Sequence, residues 1–75
     1  MAEPHTIPSK LNTDTNAVTP DYAGDNLFIS AILIQGNVTI DGQLFASLGP
    51  VALPSPIICA TFTASAAGQV AYFEQ

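Results

Sequence analysis

The sequence predicts a small all-β protein: an antiparallel sandwich or barrel-like meander preceded by an extended N-terminal arm. Short runs rich in β-branched and aromatic residues recur about every ten residues from Leu27 onward, and glycine-containing turns separate them. No window combines helical periodicity with a capping box. Since 75 residues make a single domain, we assign residues 1–26 to the arm and residues 27–75 to the β domain.

The arm is expected to be extended, because its three prolines fix φ and bias the preceding residues away from helical geometry. Apolar residues recur along it, which favours a segment laid in a groove over the alternative, a solvated disordered tail. We expect four of these apolar residues to contact a partner protein: Ile7, Leu11, Val18 and Tyr22.

The β domain is predicted to begin with a buried strand and a hairpin. Residues 27–34 are apolar at both parities, which is typical of a strand buried on both faces. The dipeptide Gly36-Asn37 predicts a two-residue hairpin turn after this strand. Residues 38–40 alternate, so Val38 and Ile40 are expected on one face of the next strand.

A second hairpin turn is predicted at Asp41-Gly42, because this dipeptide accepts positive φ at both positions. Residues 43–48 alternate again and are expected to form the returning strand. Residues 49–56 contain three prolines and are expected to be a connection, since prolines exclude a helix and a central strand.

The C-terminal third is predicted to hold two further strands. Residues 57–64 alternate as one strand, which places Cys59 and Phe62 on opposite faces. Residues 65–68 read as a turn, and residues 70–73 as a short closing strand. Glu74 is assigned to the exposed end of the chain.

Charged residues are few and are unevenly distributed along the chain. Charged residues make up 9% of the chain, against about 25% in typical domains, and none lies between Asp41 and Glu74. A homo-oligomer that covers part of this uncharged surface is therefore expected, the alternative being a monomer kept in solution by uncharged polar residues. Lys10 is the only lysine or arginine, which argues against nucleic-acid or anionic membrane partners.

Residues 42–73 form an uncharged run long enough to span a bilayer, but prolines and hydroxyl residues interrupt it, so no span is expected. The N-terminal residues lack a basic segment and an apolar segment, so no signal peptide is expected, and synthesis in the cytoplasm follows. The single cysteine excludes an internal disulfide.

Groups for catalysis are few, and the sequence predicts no enzyme, no cofactor and no metal site. A catalytic nucleophile such as Cys59 would need a histidine as its base, and His5, the only histidine, is remote from Cys59 in sequence. Cys59 is expected to be a small buried residue instead. Residues 12–16 resemble the start of a calcium loop, but Ala17 stands where that loop requires glycine.

The chain combines Lys10 as its last basic residue with a proline-containing arm and a compact body rich in Thr, Ala and Val. In this combination it resembles the small capsid decoration (cement) proteins of tailed bacteriophages. The resemblance implies a structural protein of the virion, made in the host cytoplasm. It implies a homo-oligomer, above all a trimer, bound to a shell of major capsid protein. The arm would lie along that shell, and residues 27–73 would rise above it.

A second function stays open: a small carbohydrate- or peptide-binding β module. Its contact patch would use the aromatic residues Tyr22, Tyr72 and Phe73. The amides available to it are those of Gln43, Gln69 and Gln75.

Overall fold

The computed structural model describes residues 7–75, with side chains from Ser9 onward, and confirms the all-β class. The described residues form seven strands and no helix. In chain order the strands are β1 (Ile7–Leu11), β2 (Leu27–Ile32), β3 (Gly36–Ile40), β4 (Gln43–Leu48), β5 (Val51–Cys59), β6 (Phe62–Ala64) and β7 (Val70–Glu74). Sheet A has the order β1-β7-β2-β5 and sheet B the order β4-β3-β6, and every pairing is antiparallel.

The core lies between the two sheets, as in a sandwich. At its centre the rings of Phe62 from sheet B and Tyr72 from sheet A meet edge to face, with centroids 5.0 Å apart. The predicted alternation of β3 is confirmed, since Val38 and Ile40 are both buried. Sheet A contributes Leu27, Ile29, Ile32, Cys59, Val70 and Tyr72 to the core, and sheet B contributes Val38, Ile40, Phe62 and Ala64.

The predicted turn at Asp41-Gly42 is confirmed. The two residues have φ of 50° and 82° and connect the paired residues Ile40 and Gln43. The Asp41 carboxylate has a second role, because its Oδ1 accepts hydrogen bonds from the backbone N–H groups of Ala60 (2.9 Å) and Thr61 (3.1 Å). The turn of sheet B therefore also holds the connection between β5 and β6.

The hairpin turn predicted at Gly36-Asn37 is wrong. Both residues belong to β3, and the chain crosses from sheet A to sheet B between β2 and β3. Gly36 serves a close approach instead, since a Cβ there would lie 2.6 Å from Ser65 Oγ and 2.7 Å from Gln69 Nε2. Local turn chemistry could not distinguish these two uses of glycine.

The proline-rich connection predicted at residues 49–56 is also corrected, since residues 51–56 belong to β5 at the edge of sheet A. The pairs Ala31–Ala52 and Ile29–Ile57 enclose the segment that holds Pro54 and Pro56, and this segment bulges out of register. An edge position tolerates prolines, because no neighbouring strand requires their missing N–H groups.

Two burial predictions are wrong as well. Cys59 and Phe62 both lie in the core, because the chain bends at residues 60–61 as it passes between the sheets. The run at residues 27–34 is not buried on both faces. Leu33 and Ile34 lie beyond β2 and are 50% and 46% exposed.

Residues 7–26, assigned from the sequence to the arm, pack on the β domain. β1 pairs with β7, and Val18 exchanges backbone hydrogen bonds with Phe62 (2.8 and 3.3 Å). Asn12 is buried and is tied by its side chain to residues 66 and 70. The segment thus adds a strand to sheet A and covers an edge of sheet B.

Candidate interaction face

The side of sheet A that faces away from the core carries two apolar rows across the strands. Directly opposed residues of antiparallel strands point to the same face, so cross-strand register defines each row. The first row is Leu11, Ala71, Ala31 and Ala52, and the second is Phe73, Phe28 and Ile58. We call these seven residues the outer face.

Aromatic stacking organises the second row. The rings of Phe28 and Phe73 are parallel within 5° and their centroids lie 5.0 Å apart, which leaves both side chains half-buried. Ile58 beside them is 60% exposed, and Leu11 at the end of the first row is 45% exposed. The outer face is therefore a solvent-exposed apolar surface with a stacked aromatic pair at its centre.

No residue of the outer face is charged. The described strands of sheet A carry two charged side chains, and both lie on the face toward the core. Lys10 is opposite Tyr72 in register, and Glu74 is buried. Lys10 Nζ lies 5.6 Å from the Tyr72 ring centroid and 3.6 Å from Asp21 Oδ2. Charge and exposed apolar area are thus separated on the two faces of one sheet.

A depression of ≈ 320 Å³ adjoins the first row and opens to solvent. Its lining is apolar, so it offers no set of polar groups to orient a small polar ligand. It suits one apolar side chain of a partner, the kind of anchor that dominates protein interfaces. The lining residues are Ala31, Ile32, Leu33, Pro50, Val51 and Ala52.

The four predicted contact residues lie in different places. Leu11 belongs to the outer face, whereas Val18 is half-buried and packs against the core. Tyr22 is 49% exposed on the connection to β2. The backbone of Ile7 pairs with Glu74, and its side chain is outside the described residues.

The residues of the alternative binding module are also separated. Tyr72 is 6% exposed, and burial raises its pKa. Gln69 is fully buried, and its Oε1 accepts hydrogen bonds from Ser65 and Ala66. Phe73 lies on the outer face, away from Tyr72, so the three aromatic residues do not form one patch.

Cys59 lies in the core, as expected for a small buried residue. Burial, with the nearby charge of Asp41, raises the pKa of its thiol to about 11, so the thiolate that reacts with electrophiles is scarce at neutral pH. His5 falls outside the described residues. Between residues 7 and 75 no three His, Cys, Asp or Glu side chains form a group that could hold a metal ion.

Comparison with known proteins identifies no matching family model, no matching curated protein and no matching solved structure. Over the described part of the chain no helix has the length and apolarity to cross a membrane. Phe28 and Ile58 were not predicted to be surface residues. The available signal was their parity, opposite to that of the buried residues Leu27, Ile29 and Cys59.

Proposed function

We propose that this chain is a structural assembly protein that attaches to a larger protein surface through the outer face. The observation that carries the proposal is an exposed apolar sheet face without charge, on a chain of net charge −5. Contiguous exposed apolar surface of this kind is typical of protein-binding sites, because burying it yields about 25 cal/mol per Å². Stacking of Phe28 on Phe73 restricts both rings before docking, which would reduce the entropy that docking costs.

The resemblance to phage decoration proteins supplies the finer proposal. The partner would be a shell of major capsid protein, the location the virion, and the role stabilisation of that shell. Leu11 is the predicted arm residue that lies on the outer face, so the arm would contribute to attachment through β1. The binding-module alternative has no comparable support, because its aromatic and amide residues do not converge.

A charge placed on the outer face tests the proposal. Ile58→Glu puts a carboxylate at an exposed position, so the fold is retained while docking would require its desolvation. Ser55→Glu is the matched control: it is exposed in the same strand and outside both apolar rows. Each chain is mixed with shells assembled from the major capsid protein of the same genome and then sedimented.

We expect the wild type and Ser55→Glu to co-sediment with the shells and Ile58→Glu to bind at least about tenfold more weakly, which corresponds to 1.4 kcal/mol. Equal binding of Ile58→Glu would show that another surface makes the attachment. Failure of the wild type to bind would contradict the capsid partner.

A further inference from the structure

Three of the four sheet edges are protected by residues that the structure describes. β1 contains Pro8 and the charged Lys10, and β5 contains Pro54 and Pro56. β6 is covered at Phe62, whose N–H and C=O groups bond to Val18. Prolines, charges and covering segments are the usual means of preventing an edge strand from pairing with another chain.

The fourth edge, β4, has none of these three protections among the residues that the structure describes. It contains no proline and no charged residue, and five of its six residues are exposed. Leu44 is 59% exposed and Phe45 is 38% exposed. Between residues 7 and 75 the strand pairs with β3 alone, which leaves the backbone groups of its other side available to a further strand.

We propose that β4 pairs antiparallel with β4 of a second copy of this chain, which joins two copies of sheet B into one six-stranded sheet. The occupant is a second copy, because β4 lies in the uncharged run of residues 42–73, whose exposed surface predicts a homo-oligomer. Two chains of net charge −5 repel each other, and this edge lets them meet without bringing charged strand residues together. The nearest acid, Asp41, directs Oδ1 to Ala60 and Thr61 of its own chain.

The area of the contact sets its strength. A pair of six-residue strands buries less than the roughly 1,200 Å² of a stable interface, so the dimer is reversible, with a dissociation constant of about 1 μM or weaker. A register shift follows Phe45, where Ser47 has φ of 53°, and this confines regular pairing to the first part of β4. The two-fold axis then falls within residues 44–46.

Leu44→Lys tests the pairing, because a lysine at the two-fold contact would bring two like charges together. Sedimentation velocity over about a hundredfold concentration range measures the monomer–dimer equilibrium. We expect a concentration-dependent dimer for the wild type and a monomer for Leu44→Lys. Ser55→Lys, which adds the same charge to the edge strand β5, is the matched control and should dimerise like the wild type.

Single cysteines locate the axis. Among Leu44→Cys, Phe45→Cys and Ala46→Cys, at least one should form a disulfide-linked dimer on mild oxidation, since a residue on the axis lies opposite its own copy. Ser55→Cys is the control, and the buried Cys59 contributes little background. No linked dimer in all three variants would contradict the pairing.

A wild-type chain that stays monomeric, or a Leu44→Lys chain that associates equally well, would overturn the proposal. So would the trimer that the resemblance to decoration proteins implies, because a two-fold strand pair does not close with three copies. The test is separate from that of the attachment function. Ile58→Glu should leave this dimer intact, and Leu44→Lys should leave the outer face unchanged.

Discussion

The Glu74 side chain links the segment before β2 to β7 through hydrogen bonds. It was assigned to an exposed chain end, but it is 1% exposed, and its carboxylate oxygens accept hydrogen bonds from the N–H groups of Asp21 (2.8 Å) and Tyr22 (3.0 Å). Burial alone would raise its pKa. These two bonds, a hydrogen bond with Asp25 and the charge of Lys10 hold the pKa below the ordinary value of 4.5.

Glu74→Gln should therefore lower the melting temperature at neutral pH. Because the pKa of Glu74 is lower in the folded chain than in the unfolded chain, its stabilisation is complete above pH 4.5 and disappears as the pH falls through the folded value. Thermal melts of both proteins from neutral pH down to about pH 2 should show their difference narrowing below pH 4.5. Asp14→Asn, at an exposed acid, is the control. A constant difference would contradict the role of the charge.

Asn12 connects three parts of the chain through one buried amide. Its Nδ2 donates hydrogen bonds to the carbonyl oxygens of Asp14 (2.9 Å) and Ala66 (2.8 Å), and its Oδ1 accepts one from the N–H of Val70 (2.8 Å). Asn12→Ala would leave these groups unsatisfied, at a cost of about 2–4 kcal/mol. Urea unfolding measures this loss of stability, and Asn16→Ala, at an exposed position, is the control. A loss below about 0.5 kcal/mol for Asn12→Ala would contradict the connecting role of Asn12.

At the scale of elements, the β3–β4 hairpin depends on one glycine. Gly42 has φ of 82°, and a Cβ there would meet no atom within 4 Å, so the cost of a side chain comes from the backbone alone. Gly42→Val should destabilise the protein by about 1–3 kcal/mol. Gly42→Asn, which tolerates positive φ, should cost less. Equal losses in urea unfolding would show that backbone strain is not the cause.

The same hairpin shows which elements the sequence could predict. Asp41-Gly42 was identifiable because its turn depends on two adjacent residues. Gly36 was misassigned because its role depends on Ser65 and Gln69, about thirty residues away in the chain. The bend after Cys59 escaped prediction for a similar reason, since Asp41 from another hairpin holds it.

The outer face could not be predicted from the sequence, for a related reason. Phe28, Ile58 and Phe73 become neighbours through the register of β2 with β5 and β7, and these strands are distant in sequence. Alternation within each strand indicates which side chains share a face of that strand. It does not indicate which strands are adjacent in the sheet. Leu11 was predicted as a contact residue from its apolar character, and the register of β1 places it in the first row.

At the scale of the whole molecule, residues 7–26 and the rest of the chain form one packed unit. β1 completes sheet A, Val18 covers the edge of β6, and Glu74 holds residues 21–22. The ion pair of Lys10 with Asp21 is largely exposed and adds less than about 1 kcal/mol. Hydrogen bonds and packing within the chain therefore hold this segment in place.

Trypsin measures that packing directly, because Lys10 provides the single tryptic site of the chain. The structure places the Lys10–Leu11 bond within β1, opposite Tyr72 and Ala71. Cleavage requires the bond to leave the sheet, so the folded chain should be cut at least about a hundredfold more slowly than the urea-unfolded chain.

Glu74→Gln and Asn12→Ala should both accelerate this cleavage, because each loosens the segment that follows β1. Gly42→Val alters sheet B and is the matched control. When it lowers the free energy of unfolding by as much as the other two variants do, it should still accelerate cleavage less. Intact-mass measurements that follow residues 11–75 over time give the rates. Wild-type cleavage at the unfolded rate would mean that β1 leaves sheet A in solution, and attachment through Leu11 would then require a partner to order it.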